Sequence, residues 1–211
     1  MLISTIILGW IGILIFLIIV FTFQKLVKNN EFAFLHNLMA LMYAMWFPLP
    51  LALYQLLNSE FLHVGTIFGL VYLIMIVITM TLQTGHITYI VKHNVNKSIT
   101  DKQGDYMMAT LSNPFEGLAN VFKSIWALFL GFTFWNSREL LMASIMFLFS
   151  SLIFYYLFIV LDTSLVKRIK FFSKAKANTL LINLETLFFF IVLMIYITFN
   201  SWKEETNFVE I

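Results

Sequence analysis

The chain has 211 residues, 61% of them hydrophobic and 11% charged, with a mean hydropathy of +0.89. Soluble domains keep about a quarter of their residues charged, so this composition excludes a water-facing globule and predicts an all-α membrane protein. The net charge of +2 gives no basic face for nucleic acid, and the absence of cysteine excludes disulfide frameworks, thiolate catalysis and cysteine-ligated metal.

Six continuous apolar runs predict a polytopic bundle of six transmembrane helices in one domain, residues 1–211. The expected spans are about 2–23, 34–57, 61–91, 119–135, 140–161 and 179–200. The runs do not alternate polar and apolar residues, which excludes a spanning β-barrel.

The first run, Leu2–Phe23, lacks a basic leader and a small-residue cleavage site, and so reads as an uncleaved helix. Apart from Trp10 it is almost wholly apolar between Ile6 and Val20, which predicts a place at the rim of the bundle.

The loops are asymmetric. Lys25 and Lys28 follow the first run. Lys92, Lys97, Lys102 and Lys123 are assigned to the connection between the third and fourth runs, and Lys167, Arg168, Lys170, Lys174 and Lys176 follow the fifth. Only Arg138 and Lys203 fall on the other side, so eleven cations face two and both termini are expected outside. Trp135 and Trp202 then lie at the outer interface. The basic segment 167–176, interleaved with Phe171 and Phe172, reads as an anchor on anionic lipid. The heavy use of Phe, Ile, Leu, Asn and Lys resembles the coding of an AT-rich bacterial genome, and the expected location is the plasma membrane of a bacterium.

In the second run, Pro48 and Pro50 remove the donors that would reach the carbonyls of Ala44 and Trp46, so the helix must bend or open there. Such breaks build transporter sites in some proteins and only shape packing in most. The outer turns Asn58-Ser59-Glu60 and Asn136-Ser137-Arg138-Glu139 are alike, but few residues match between the flanking helices. Convergent turn chemistry therefore explains them better than duplication.

The third run carries a stripe: Gly65, Gly69, Tyr72, Ile76, Thr79, Gln83 and His86 share one face. The two glycines predict close helix packing, while Thr79 and Gln83 offer hydrogen bonds across helices. After it, Thr100–Asp105 reads as a solvated turn. Asn113-Pro114-Phe115-Glu116 reads as the start of a short interfacial helix, Pro114 to Phe122.

Ser151 and Tyr155 in the fifth run are expected to join the interior. Glu185 lies nine residues beyond Lys176, about 13 Å deeper at helical rise. His86 lies about 9 Å in from Lys92, and Asp162 about 7.5 Å in from Lys167. A carboxylate at such a depth is costly unless paired, protonated or hydrated, and His86 or a residue of the second run such as His36 is the candidate partner. A candidate polar site therefore comprises Glu185, His86, Gln83, Thr79, Asp162 and His36. It supports a structural clamp first, a proton- or cation-coupling site second, and a metal or general-base site third. His63 and His93 are expected at the two surfaces.

No phosphate loop, dinucleotide fingerprint or H-E-x-x-H motif occurs, so no cofactor and no metal are expected. Nor is a serine nucleophile marked by a base or an oxyanion hole. The expected function is that of a non-catalytic accessory, regulatory or scaffold subunit. A transporter or channel component using an intramembrane carboxylate comes second, and an intramembrane enzyme third. The expected partners are the lipid bilayer and other membrane subunits or further copies of the chain.

Overall fold

The computed structural model describes residues 1–93, 97–165 and 178–209, with side-chain surroundings for all of these except 97–101, 179 and 202–209. The basic segment 167–176 with Phe171 and Phe172 lies outside the described residues, as do the side chains of Lys97, Trp202 and Lys203. The structure is 92% helical with no strand among the described residues. It contains six helical stretches long and apolar enough to cross a membrane: Leu2–Lys28, Phe32–Leu57, Glu60–His93, Lys102–Asn136, Leu140–Ser164 and Leu180–Ser201.

Helix α1 (Leu2–Lys28) ends where Asn30 adopts φ 58°, a conformation that asparagine tolerates better than most side chains. Lys25 and Lys28 stand in its last turn, where the helix dipole favours cations. The chain returns as α2 (Phe32–Met45), which stops before the two prolines and restarts as α3 (Leu49–Leu57). The break leaves no free acceptor where one was expected. Phe47 N–H donates to the Ala44 carbonyl at 3.2 Å and Leu49 N–H to the Trp46 carbonyl at 3.0 Å. Tightening to i→i−3 bonds thus replaces the two donors that Pro48 and Pro50 lack.

A turn through Asn58 (φ 42°) leads into α4 (Glu60–His93), the longest helix of the fold at 34 residues. Its far end connects to α5 (Lys97–Met107), a π-helical turn over Met108–Ser112, and α6 (Asn113–Asn136). Two expectations change here. Thr100–Asp105 belongs to a helix rather than a turn, and Pro114–Phe122 is the first part of a long continuous α6 rather than a separate interfacial piece. Pro114 explains the π turn. It has no N–H for the Thr110 carbonyl and its ring crowds that oxygen, so the helix widens and Asn113 N–H donates to the Met108 carbonyl. Asn113 is itself helical (φ −56°, ψ −49°) and does not act as a cap.

A second turn, through Arg138 (φ 62°), leads to α7 (Leu140–Ser151) and α8 (Ile153–Ser164), separated by a kink at Leu152. Ser150 and Ser151 each bond back to a carbonyl three residues earlier, at 2.8 and 2.7 Å, which is where serine pairs bend helices. Finally α9 (Thr179–Val209) continues beyond the expected end of its apolar run.

Helices α4 and α6 form the centre of the bundle. An added Cβ on Gly65 would lie 2.6 Å from Phe129 Cβ, and one on Gly69 would lie 2.7 Å from Trp126 Cδ2. The glycines therefore admit two large α6 side chains against the α4 backbone. Helix α1 is peripheral, but it is not a bare lipid-facing rod. Gly9 and Gly12 are buried, Trp46 Nε1 donates to the Gly9 carbonyl at 3.1 Å, and Trp10 Nε1 donates to Thr198 Oγ1 at 3.2 Å.

Gly85, on the same α4 helix, has nothing within 4 Å of an added Cβ. Gly69→Val should therefore destabilise the fold by about 1–3 kcal/mol through overpacking. Gly85→Ala should be neutral, or stabilising by up to about 1 kcal/mol. Thermal unfolding in detergent measures both, and equal responses at the two positions would contradict the packing described.

Candidate functional site

Charge is scarce in this bundle, so each buried polar side chain needs a partner that the fold must supply. In an apolar medium an unpaired ion costs several kcal/mol even after relaxation. The described structure supplies such partners chiefly in two linked clusters along one face of α6, while the Tyr72 hydroxyl and Trp126 Nε1 are buried with no partner among the described residues.

The deeper cluster centres on Lys123 and Glu185. Lys123 is 1% exposed and Glu185 9%, and the ammonium donates to Glu185 Oε2 in a direct ion pair. Lys123 Nζ also donates to Thr186 Oγ1 at 2.8 Å, and the Tyr156 hydroxyl donates to Glu185 Oε2 at 2.9 Å. The ammonium lies 5.6 Å from the centroid of the Tyr72 ring and 5.5 Å from that of Tyr156, within range of cation–π attraction. One carboxylate oxygen thus receives two donors. The other, Oε1, is buried and accepts none from the described residues.

Sequence alone assigned Lys123 to a loop and sought the partner of Glu185 in His86 or His36. The structure corrects both. Lys123 lies ten residues inside α6, and its charge compensates the acid. His86 is half-buried and its Nε2 has no partner among the described residues, while His36 Nδ1 donates to the Phe32 carbonyl at 2.7 Å on its own helix. Asp162 has a buried Oδ1 with no partner among the described residues, and it shares no hydrogen bond with Glu185. Nor do the described His, Asp and Glu side chains form a group of three able to hold a metal ion.

The shallower cluster centres on Glu116, two helical turns before Lys123. Gln83 Nε2 donates to Glu116 Oε1 at 2.8 Å and Ser112 Oγ donates to the same oxygen at 2.7 Å. Gln83 therefore does reach across helices, whereas Thr79 bonds the Met75 carbonyl of its own helix at 2.7 Å. Between the clusters stands buried Asn120, whose amide donates to the Glu116 carbonyl at 2.8 Å and whose Oδ1 accepts no bond from the described residues.

Two hollows serve this face. A vestibule of about 580 Å³ at the lysine-rich end includes His36, Gln83, Ser112 and Glu116 in its wall. A smaller cavity of about 140 Å³ brings together Glu116, Asn120 and Tyr156. Tyr156 thus lies between the hollow space and Glu185. Beyond the ion pair the interior closes. Trp126 lies three residues past Lys123, and Phe189 and Phe190 lie four and five past Glu185, so an aromatic layer occupies the next helical turn. Trp46 stacks on Phe190 with ring centroids 3.8 Å apart, and Trp126 meets Phe189 edge-on at 5.2 Å.

On α7 and α8 the buried members are Ser150 and Tyr156, whereas Ser151 is exposed and Tyr155 half-buried. The buried positions therefore lie one residue outside the expected pair on either side, six residues apart rather than four. Signals for the missed residues were present in α6: Glu116, Asn120, Lys123, Trp126 and Leu130 recur at spacings of four, three, three and four, the same stripe geometry that drew attention to α4.

Lys123→Met and Glu185→Leu should each destabilise the fold by about 3–5 kcal/mol, because each leaves a buried charge without its partner. The double variant should lose much less than the sum of the two. Chemical denaturation in detergent reads the cycle, and strictly additive losses would show that the two groups do not interact.

No family model matches the sequence, and no curated protein or solved structure matches it either, so the functional reading rests on this geometry.

Proposed function

We propose that the chain is a six-span protein of a bacterial plasma membrane, with both termini on the outer side, and that it acts as a non-catalytic accessory or scaffold subunit of a membrane assembly. The observation that carries the subunit reading is the internal compensation of its buried charge. Lys123, Glu185, Tyr156 and Thr186 are joined by hydrogen bonds across three helices, as in a structural clamp. Catalysis instead calls for a reactive group held beside open space.

Membrane insertion draws support from the exterior. Phe21 on α1, Leu141 and Leu148 on α7, and Phe199 on α9 are 69–84% exposed. Soluble monomers rarely expose contiguous apolar patches above a few hundred Å². Orientation draws support from charge. With Lys123 removed from the loops, ten cations still fall on one side against Arg138 and Lys203 on the other. Lys25, Lys28, Lys92 and Lys102 are all exposed.

The absence of native cysteine makes the topology directly testable. Single cysteines at the exposed positions Glu60 and Ser137 should react with a membrane-impermeant maleimide in intact cells, and cysteines at Lys28 and Lys102 only after lysis. The reverse labelling would overturn the orientation. After crosslinking in cells and extraction in mild detergent, the chain should run in a complex well above its own 24.6 kDa. A lone monomer that brings nothing with it would remove the subunit reading.

A second reading, a proton- or cation-coupled transporter component, is favoured by one observation: hollow space at the lysine-rich end reaches Tyr156, the donor to Glu185. The aromatic layer beyond the pair opposes it. Proteoliposomes under a pH gradient decide the matter: flux abolished by Glu185→Gln supports coupling, and no flux above empty vesicles supports the scaffold.

A further inference from the structure

Below the aromatic layer, α2 does not close against α9. The gap is an apolar groove of about 410 Å³, within the usual range for a small-molecule site. Buried Phe16, Ile19 and Leu35 form its floor, while exposed Val20, Leu180 and Leu184 form its rim, so it opens sideways toward the surroundings of the bundle. Four residues, Phe23, Leu35, Met39 and Asn183, belong both to this groove and to the vestibule. The two spaces are therefore neighbours along one path, which runs from an apolar side opening to a polar end.

The polar end carries a definite charge. Among the described residues, Glu116 is the only Asp, Glu, Lys or Arg lining the vestibule, whose remaining polar side chains include His36, Gln83, Ser112 and Asn183. Both hydrogen bonds to Glu116 end on Oε1, and Oε2 accepts none among the described residues. Unlike Glu185, Glu116 has no cationic side chain in an ion pair with it among the described residues. An occupant with a protonated amine would neutralise this carboxylate and supply the hydrogen-bond donors that Oε2 lacks. An anionic head would meet an uncompensated carboxylate there.

We propose that the groove and vestibule together bind one membrane lipid whose headgroup bears a primary amine. An acyl chain lies in the groove between α1, α2 and α9, and the ammonium is held by Glu116. The inference rests on the membrane reading above but not on the choice between scaffold and transporter. It also accounts for an asymmetry of the bundle: the half beyond the ion pair is filled by aromatic rings, whereas the lysine-rich half leaves space beside α2. The ring of exposed lysines at this end attracts anionic lipid on its own, so a preference for the amine cannot come from them.

The test compares lipids of identical acyl chains. Purified, delipidated chain in detergent is given equal amounts of a phosphatidylethanolamine and a phosphatidylglycerol, and retained lipid is counted by native mass spectrometry. The amine lipid should be retained about tenfold better, as a charge-assisted hydrogen bond implies. Glu116→Gln, which keeps an oxygen for Gln83 and Ser112, should abolish that preference. Leu184→Trp, on the exposed rim, should lower retention of the amine lipid by filling the groove, and it decides the outcome should Glu116→Gln fail to fold. Equal retention, a preference for the glycerol lipid, or a preference untouched by both variants would overturn the proposal. Extraction of the chain from membranes by alkaline carbonate would instead defeat the membrane reading, a result independent of lipid choice.

Discussion

Burying one lysine and one glutamate in an apolar bundle constrains this fold more than any other contact. Lys123 and Glu185 are 62 residues apart in sequence and must still meet with their charges aligned. Apolar side chains tolerate small slides between helices, because one methyl contact replaces another at little cost. A buried ion pair does not, since displacement by a single turn strands two charges. The pair therefore sets the register of α6 against α9, and Tyr156 extends the same register to α8 through its bond to Glu185. A well-packed apolar replacement could equal it in stability but would specify the alignment less tightly.

Packing on either side follows from that fixed register. With α6 set in place, Trp126 and Phe129 face the α4 backbone at the two positions where only glycine leaves room, Gly69 and Gly65. With α9 set, Phe190 falls under Trp46, and the Trp46 indole N–H reaches the Gly9 carbonyl of α1. One interlocked layer thus ties α1, α2, α6 and α9 together one helical turn from the charge pair. A tryptophan so placed contributes a large apolar surface and still satisfies its single donor. Gly12 serves the same end, since an added Cβ there would lie 2.6 Å from Trp46 Nε1.

Long-range patterns were legible in the sequence; local backbone responses were less so. Six apolar runs correspond to six helices of spanning length because hydropathy over about 20 residues is a sum, insensitive to any one position. The stripe on α4 was readable because seven residues repeat at helical spacing, and its members from Gly65 to Gln83 are buried. Lys123 was misread for a physical reason: lysine near the edge of an apolar run is usually an interfacial cation, and only the acid on a distant helix makes its burial possible. The π turn before Pro114 could not be read from a turn signal. A proline after Asn normally starts a helix, but here the preceding residues were already helical and the backbone widened instead. At α7–α8 the kink at Leu152 interrupts the helical period, so a four-residue spacing carried across it does not predict the inward pair, which is Ser150 before the kink and Tyr156 after it.

The broken helix shows where ligand chemistry should be sought. Interrupted helices make binding sites when their freed carbonyls have no internal donor and can therefore coordinate an ion or substrate. Here the Ala44 and Trp46 carbonyls are both occupied, by Phe47 and Leu49. The prolines consequently shape the path of α2–α3 without exposing acceptors, and Pro50 itself is buried. Along the polar face of α6 and α9, three acceptors take no bond from the described residues: Oε2 of Glu116 at the vestibule, Oδ1 of Asn120 one turn deeper, and Oε1 of Glu185 beyond Tyr156. They descend in order from the hollow end toward the sealed one. An amine or proton entering from the lysine-rich side would meet Glu116 first and would have to displace the Tyr156 hydroxyl to reach Glu185. Tyr156 therefore stands between the hollow part of the polar face, whose wall it joins, and the buried ion pair to which it donates.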